Sequence, residues 1–129
     1  MSDLVVIVCG DRNWTDRDYL YRTLNKIGIN LVIHGGCRGA DLMAQDWCKE
    51  NLRLSYSLPA DWAKHGKAAG PLRNAEMLEH LLRYQADGFT VKVIAFHRDI
   101  ERSKGTKDMV AKARLAGVPV EIYPTKAER

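Results

Sequence analysis

The sequence predicts a single α/β domain in which helices cover both faces of a mainly parallel, five-stranded sheet, with a strand order of about 3-2-1-4-5. Two observations support this prediction. Short runs of buried β-branched residues alternate with amphipathic helical segments along the chain. The 129 residues are the size of one ordinary domain, and the hydrophobic fraction of 46% is sufficient for one core without disulfides or metals.

The first βα unit begins with an unbroken apolar run over residues 4–9. Such a run is typical of a parallel strand that is buried on both faces. Thr15 is predicted to cap the following helix, because two aspartates lie in the first turn after it. This helix is predicted to end at Gly28, after an apolar stripe formed by Leu20, Leu24 and Ile27.

The βα pattern then repeats twice. Residues 31–33 predict a second short strand, and a glycine-rich loop connects it to a helix that begins near Asp41. Residues 54–58 predict the third strand, and residues 59–70 form a long connection. Because proline fits the first turn of a helix, the third helix is predicted from Pro71 to Gln85, with Ala75, Leu78 and Leu82 on its apolar face.

The last part of the chain predicts one more helix between two strands. Residues 91–96 form the fourth strand, and residues 118–123 form the fifth. The helix between them opens at Gly105 and Thr106 and ends at Gly117. Five strands that alternate with four helices indicate a Rossmann-like sheet.

We therefore expect one Rossmann-like domain over residues 1–124 and a polar C-terminal tail over residues 125–129. The longest apolar run has six residues, against the roughly 18 to 20 of a membrane helix, and no signal-peptide pattern is present, so we expect a cytoplasmic protein without membrane association. The net charge of +4 favours anionic partners such as nucleotides or nucleic acid. The spacing of the cysteines and histidines predicts reduced thiols and no metal site.

Functional residues are expected at the carboxyl ends of the strands, where an open parallel sheet forms its ligand crevice. Glycines in such loops let backbone N–H groups approach a phosphate, and helix N-termini add partial positive charge. Arginines there can hold phosphate oxygens in a bidentate manner. The predicted ligand-binding residues are Gly10, Asp11, Arg12, Gly35, Gly36, Arg38, Gly39, Asp41, Arg73, Asn74, Gly105 and Thr106.

Two common nucleotide-binding motifs are absent from the sequence. Gly10 is followed by Asp11, Arg12 and Asn13, so the G-x-G-x-x-G fingerprint of NAD-dependent dehydrogenases is missing. No G-x-x-x-x-G-K-[ST] sequence occurs, which argues against P-loop kinases and NTPases. We therefore predict no bound cofactor, and a nucleotide or phosphate compound as the ligand itself.

Four segments, taken in order, resemble a known family. They are Val-Cys-Gly-Asp-Arg (8–12), His-Gly-Gly-Cys-Arg-Gly-Ala-Asp (34–41), Ala-Gly-Pro-Leu-Arg-Asn (69–74) and Lys-Gly-Thr-Lys-Asp (104–108). The chain is similar over nearly its whole length to the SLOG superfamily, which includes Smf/DNA-processing-A and LOG (LONELY GUY) proteins, and in particular to the small YspA/YpsA-related branch. The resemblance implies a Rossmann-like sheet with a ligand pocket at these segments, and a homodimer.

The resemblance also implies a possible activity. LOG-like enzymes cleave the N-glycosidic bond of nucleoside 5′-monophosphates with an arginine and the final glutamate of P-G-G-x-G-T-x-x-E. Met109 stands at the position of that glutamate, and the preceding double glycine is missing. Hydrolysis of a glycosidic bond needs a carboxylate, which Asp11, Asp41 or Asp108 would have to supply here. The catalytic candidates are Arg73, as the arginine, with Asp108 and Asp41.

Binding without catalysis is the function that we favour from the sequence. The ligand class is a nucleoside monophosphate, ADP-ribose or another NAD-derived signal, and the resemblance implies a sensor or sequestering protein of a bacterial or phage conflict system. The first alternative is a LOG-like phosphoribohydrolase, so whether the chain is an enzyme stays open. The second alternative is binding of single-stranded nucleic acid, although no continuous basic stripe is present. A Cys37/His34 nucleophile is a weaker hypothesis.

Trp62 lies in the long connection among Lys64, His65 and Lys67. We interpret this segment as a mobile lid over the pocket, and the alternatives are a base-stacking residue, a nucleic-acid contact and an ordinary surface loop. Trp47 and the helix from Pro71 are candidate elements of a dimer interface.

Overall fold

The computed structural model describes residues 3–129, so the first two residues of the predicted domain lie outside the described part. Strands and helices alternate along the chain, and two short 3₁₀ turns, Gly66–Ala68 and Ile100–Arg102, lie between them. The elements are β1 (Leu4–Gly10), α1 (Arg17–Asn25), β2 (Ile29–His34), α2 (Ala40–Glu50), β3 (Leu54–Ser57), α3 (Trp62–His65), α4 (Ala69–Ala86), β4 (Thr90–Phe96), α5 (Gly105–Leu115) and β5 (Val120–Tyr123).

The five strands form one sheet in the order β3-β2-β1-β4-β5, and every neighbouring pair is parallel. The predicted fold class and strand order are therefore confirmed. β1 lies at the centre, where Ile7 is in register with Ile33 of β2 and with Val93 of β4. The chain runs outward from β1 to β3 and then returns to the other side of β1, so the strand order reverses between β1 and β4.

Side chains that alternate along β1 divide the core into two layers. Val5 and Ile7 pack on one face with residues of α4 and α5, such as Met77 and Met109. The opposite face includes Val6, Val8, Leu20 of α1 and Trp47 of α2. Both faces of β1 are thus apolar, which explains why its sequence is an unbroken β-branched run and not an alternating one.

The N-terminus of α1 differs from the prediction that Thr15 caps it. Asp16 is the cap, because its Oδ1 accepts a hydrogen bond of 3.0 Å from the backbone N–H of Tyr19. A carboxylate at this position also interacts favourably with the positive end of the helix dipole. The helix begins at Arg17 and ends at Asn25, three residues before the predicted end at Gly28.

The connection after β3 is more ordered than the predicted loop over residues 59–70. Asp61 caps the four-residue helix α3 by accepting a hydrogen bond of 3.0 Å from the N–H of Lys64. A 3₁₀ turn follows, and α4 begins at Ala69, two residues before Pro71. Proline is tolerated there because the first N–H groups of a helix have no intrahelical acceptor. The chain therefore has five α-helices in its described part, and the predicted four were one too few.

Trp14 and Trp47 are core residues, with 4% and 3% of their surface exposed. Trp47 Nε1 donates a hydrogen bond of 2.8 Å to Asn25 Oδ1, which joins α2 to the end of α1. Because Trp47 is buried within one copy of the chain, it is not available as a dimer contact.

The C-terminal tail returns to α1. Glu128 Oε1 accepts hydrogen bonds from Tyr19 Oη, at 2.8 Å, and from the backbone N–H of Thr125, at 3.0 Å. In the described part of the chain, no helix is both long enough and apolar enough to cross a membrane.

Candidate functional site

A cleft opens at the carboxyl ends of β1 and β4, where the strand order reverses. We name it the switch-point cleft. Its cavity volume is about 610 Å³, a size typical of small-molecule sites. It is lined by Cys9, Gly10, Asp11, Arg12, Cys37, Asp41, Trp62, Gly70, Arg73, Asn74, Met77, His97, Arg102, Ser103, Lys104, Gly105 and Thr106. The position agrees with the general rule that an open parallel sheet binds ligands at this point.

The structure brings most of the predicted ligand residues together. The predicted residues that line the cleft are Gly10, Asp11, Arg12, Asp41, Arg73, Asn74, Gly105 and Thr106. The other four, Gly35, Gly36, Arg38 and Gly39, belong to the β2–α2 loop and are not lining residues. Arg38 is exposed, and its Nη2 donates a hydrogen bond of 3.0 Å to Asn13 Oδ1.

The three glycines of that loop support the cleft from outside it. The backbone carbonyl of Gly35 accepts a hydrogen bond from Arg73, and a Cβ added at Gly35 would overlap with the Arg73 guanidinium. Gly36 has a φ of +73°, a left-handed turn that glycine adopts without strain. Gly39 packs so closely against the backbone of Asp11 and Arg12 that no Cβ fits between them.

Arg73 and Asn74 connect three of the loops around the cleft. Arg73 Nη1 donates a hydrogen bond of 2.9 Å to the carbonyl of Gly35, and its Nε donates one of 3.1 Å to Asn74 Oδ1. Within residues 3–129, Nη2 of Arg73 has no hydrogen-bond acceptor. The guanidinium is therefore fixed by the protein on two nitrogens, and its third nitrogen keeps its capacity to donate hydrogen bonds.

Asn74 is 3% exposed, and its hydrogen bonds hold the start of α4 against the start of α5. Its Nδ2 donates to the carbonyl of Gly105, at 3.1 Å, and to Asp108 Oδ2, at 3.0 Å. The other oxygen of Asp108 accepts a hydrogen bond of 2.6 Å from Lys112 Nζ. Asp108, a catalytic candidate from the sequence, is thus not a lining residue of the cleft, and both of its oxygens have partners.

The first turn of α5 lies at the wall of the cleft. Gly105 and Thr106 line it, and the space where a Cβ of Gly105 would lie is open to at least 4 Å. The N–H of Thr106 is already bonded to Ser103 Oγ at 3.0 Å. The neighbouring N–H groups of this first turn have no intrahelical acceptor, and together with the helix dipole they favour a negatively charged ligand.

Asp41, in the first turn of α2, is 6% exposed at the wall of the cleft. Its Oδ2 accepts hydrogen bonds from the backbone N–H groups of Gly35, at 3.0 Å, and Cys37, at 3.4 Å. Burial raises the pKa of Asp41 to about 6, although these two hydrogen bonds and the charge of Arg73 act in the opposite direction. The carboxylate therefore holds the β2–α2 loop in shape while it remains close to protonation at neutral pH.

The side-chain charges around the cleft are mainly positive. Arg12, Arg73, Arg102 and Lys104 line it, against the carboxylates of Asp11 and Asp41. An anionic ligand is thus favoured by side chains as well as by backbone dipoles. In the described part of the chain, no three His, Cys, Asp or Glu side chains come together in a way that could hold a metal ion.

The thiols and the buried imidazole give little support for a Cys/His nucleophile. His34 is fully buried, and its Nδ1 accepts a hydrogen bond of 3.0 Å from the N–H of Gly36. Burial also lowers the pKa of His34, so the ring is neutral with its proton on Nε2. Nδ1 is therefore not available as a base for Cys37. Cys9 is buried, and burial raises the pKa of its thiol, which leaves it unreactive.

Sequence reasoning missed the loop after β4 as part of the site. His97, Arg102, Ser103 and Lys104 line the cleft, together with Gly70 and Met77 of α4. These residues could have been predicted, because they lie between a predicted strand and the helix that begins at Gly105. The other loops of the site were identified by this same position, at the carboxyl end of a strand.

A second cavity, of about 330 Å³, lies between α1, β5 and the tail, and we name it the β5 cavity. Its lining residues include Arg22 and Lys26, and also Glu128, whose carboxylate is bonded to Tyr19 and Thr125. The β5 cavity shares no lining residue with the switch-point cleft.

We predict that Asp41 makes the free energy of unfolding depend on pH. The unfolded chain releases this proton near pH ~3.9 and the folded chain near pH 6, so the folded state holds the extra proton between those values. The stability that this group contributes is fully present below pH ~4 and falls by about 3 kcal/mol as the pH rises through 6. Asp41→Asn, which retains one acceptor oxygen, should remove this dependence.

The measurement is urea denaturation of the wild type and of Asp41→Asn at pH values from 4 to 7. Carboxylates whose pKa values are lowered by folding, such as Glu121, have the opposite pH dependence but are common to both proteins, so they cancel in the difference. A difference in unfolding free energy that does not change with pH would contradict the prediction.

A Rossmann-like domain with a positively charged cleft at its switch point is the class of protein that this geometry defines. The sequence model of the YspA, cpYpsA-related SLOG family matches residues 4–65. The Gene 61 protein of Mycobacterium phage D29 is 39% identical to this chain over an alignment of 131 residues. The alignment covers 94% of this chain and 97% of the phage protein. The chain belongs to the YspA, cpYpsA-related SLOG family.

Proposed function

We propose that the switch-point cleft binds a nucleotide or nucleotide-derived ligand, and that the protein acts as a sensor of that ligand or sequesters it. The observation that supports this most strongly is the fixed guanidinium of Arg73, whose Nη2 has no acceptor within residues 3–129 and which lines the same cleft as the first turn of α5. A phosphate there would accept hydrogen bonds from a fixed guanidinium and from backbone N–H groups together.

The remaining lining residues suit the rest of such a ligand. Asp11 lines the cleft beyond the end of β1, and its backbone N–H is fixed by a hydrogen bond of 2.8 Å to the carbonyl of Phe96. A carboxylate in this position is a suitable acceptor for ribose hydroxyls. Lys104 and Arg102 add positive charge for a second phosphate. The cavity volume of about 610 Å³ is ample for a nucleoside monophosphate or a dinucleotide-like compound.

Hydrolysis of a nucleoside 5′-monophosphate is the second candidate function, and Asp41 is the observation that favours it. In this reaction water adds to C1′ of the ribose, the C1′–N bond breaks, and the base leaves with a proton. A carboxyl whose pKa is about 6 and which lines the cleft is suited to exchange protons at neutral pH. Its hydrogen bonds to the N–H groups of Gly35 and Cys37 favour a structural role instead.

The experiment that tests both functions is incubation of the purified protein with AMP, other nucleoside monophosphates, NAD, ADP-ribose and cyclic ADP-ribose. Bound and free species are then quantified by mass spectrometry. An intact nucleotide that stays with the protein is the expected result. Free base together with ribose 5-phosphate would replace the binding function by the hydrolase. If none of the compounds binds, the proposal is wrong, and single-stranded nucleic acid becomes the ligand to test.

If free base does appear, two conservative substitutions identify the carboxylate. Asp108→Asn should leave turnover within a few-fold of wild type, because Asp108 is engaged by Asn74 and Lys112 and does not line the cleft. Asp41→Asn should lower kcat by roughly 10²–10⁴-fold, the range typical of a lost general acid or base. Equal loss in both variants would argue for damage to the fold and against a catalytic role for Asp41.

A further inference from the structure

Trp62 differs from the other two tryptophans in its exposure. Trp14 and Trp47 are buried in the core, whereas 58% of Trp62 is exposed, and Trp62 lines the switch-point cleft. Leaving a tryptophan ring exposed forgoes a large hydrophobic gain. The sequence favoured a mobile lid here, with a stacking residue, a nucleic-acid contact and an ordinary surface loop as alternatives. The contact between Trp62 and Gly70 favours the stacking residue.

The ring of Trp62 is held in place by its own segment. Asp61 caps the short helix α3 directly before it, through the hydrogen bond to the N–H of Lys64. The 3₁₀ turn then reverses the chain, so that Gly70, in the first turn of α4, comes under the indole. A Cβ added at Gly70 would lie 3.3 Å from Trp62 Cη2. The absence of a side chain at Gly70 thus allows the six-membered ring to lie against the helix.

The cleft has an apolar end and a charged end. Trp62, the first residue of α3, lies against Gly70 at the beginning of α4, and the next lining residue on α4, one turn further on, is Arg73. Arg73 faces Gly35 and Asn74, and Asn74 contacts the start of α5. A ligand that filled both ends would need a flat aromatic group at one end and an anionic group at the other.

We propose that Trp62 is the platform on which an aromatic nucleobase of the ligand stacks, and that Gly70 is the positioning residue that seats its indole. The inference rests on the proposed function of the cleft and narrows its ligand to compounds with a base. Ribose phosphates without a base would then occupy only the charged end. Stacking on an aromatic residue tolerates any base, so Trp62 selects for the presence of a base and not for its identity.

The test compares the dissociation constants of AMP, ADP-ribose and ribose 5-phosphate by isothermal titration calorimetry. Trp62→Ala should weaken binding of the two nucleotides by roughly 5- to 150-fold, the loss expected for one stacked base. Binding of ribose 5-phosphate should change by less than about two-fold, because it has no base to stack. Trp62→Phe, which keeps an aromatic face, should restore most of the nucleotide affinity.

Gly70→Val is the second variant, because it leaves Trp62 in the chain but fills the space under its ring. Like Trp62→Ala, it should weaken the binding of nucleotides and leave the binding of ribose 5-phosphate unchanged. The matched control is Leu72→Ala, which removes another exposed apolar side chain from the same turn of α4 that does not line the cleft. Bound nucleotide should also quench the fluorescence of Trp62 selectively, since the other tryptophans are buried.

The possible results separate this inference from the proposed function. Equal losses for nucleotides and ribose 5-phosphate in Trp62→Ala, or no loss for either, would overturn the stacking role while the cleft remains a nucleotide site. If wild-type protein binds none of the three compounds, both the inference and the proposed function are overturned.

Discussion

Arg73→Ala is expected to weaken nucleotide binding by roughly 10- to 150-fold, the largest effect on affinity that we predict for a single side chain. The substitution removes a guanidinium that hydrogen bonds of 2.9 and 3.1 Å fix at the wall of the cleft. A charge-assisted hydrogen bond from such a group to a phosphate is about twice as strong as one between neutral groups. The measurement is calorimetric titration with ADP-ribose and AMP.

Two further variants make this result interpretable. Arg83→Ala is the matched control on α4, because Arg83 is exposed and pairs with Glu79, an interaction that contributes little in water. Arg73→Lys keeps the charge but not the planar fork, so it should recover only part of the affinity. If Arg73→Ala binds as tightly as the wild type, Arg73 is not part of the site.

Gly39→Ala is expected to lower the free energy of unfolding by at least about 3 kcal/mol, the largest stability effect that we predict. Gly39 has a φ of +82° and a ψ of −129°, a conformation that is essentially restricted to glycine. In addition, a Cβ there would overlap with the backbone of Asp11 and Arg12. The loss corresponds to a decrease in Tm of roughly 10 °C for a domain of this size, measurable by calorimetry.

Gly88→Ala separates the cost of the backbone conformation from the cost of the steric overlap. Gly88 also has a positive φ, of +100°, but nothing lies within 4 Å of the position where its Cβ would be. It should therefore show only the cost of the backbone conformation, about 1–3 kcal/mol. If Gly39→Ala is no more destabilising than Gly88→Ala, the close packing of the β2–α2 loop against the Asp11 loop is not important for stability.

The sequence was a good guide to the centre of the sheet because β1, β2 and β4 are mostly buried. The apolar run of β1 contains no polar residue that could face solvent, so it predicts a strand buried on both faces. Each strand is followed by a helical stripe, and a strand–helix–strand connection within one sheet makes the strands parallel. The helix ends were predicted less well. Whether Thr15 or Asp16 caps α1 depends on backbone angles at two adjacent capping residues, which residue type alone does not determine.

The connection between β3 and α4 was the main error in the fold. Asp61 caps a helix of only four residues. Such a short helix has no repeating pattern of apolar residues, so the sequence did not predict it. For the site, loop glycines and arginines indicated the correct edge of the sheet. The engagement of Asp108 by Asn74 was not foreseeable from the sequence, because this contact is made by the packing of α4 on α5, and Lys112, one turn further along α5, occupies the other oxygen of Asp108.

The most direct test of the central claim is an amide NMR titration of the ¹⁵N-labelled wild-type protein with ADP-ribose. We predict that the largest shift changes occur at the amides of Gly10, Asp11, Gly105 and Thr106 and at the indole N–H of Trp62, all of which border the switch-point cleft. Amides that border the β5 cavity, such as those of Arg22 and Thr125, should not move. Shift changes confined to the β5 cavity, or saturable binding without changes at Gly10 and Gly105, would contradict the assignment of the site.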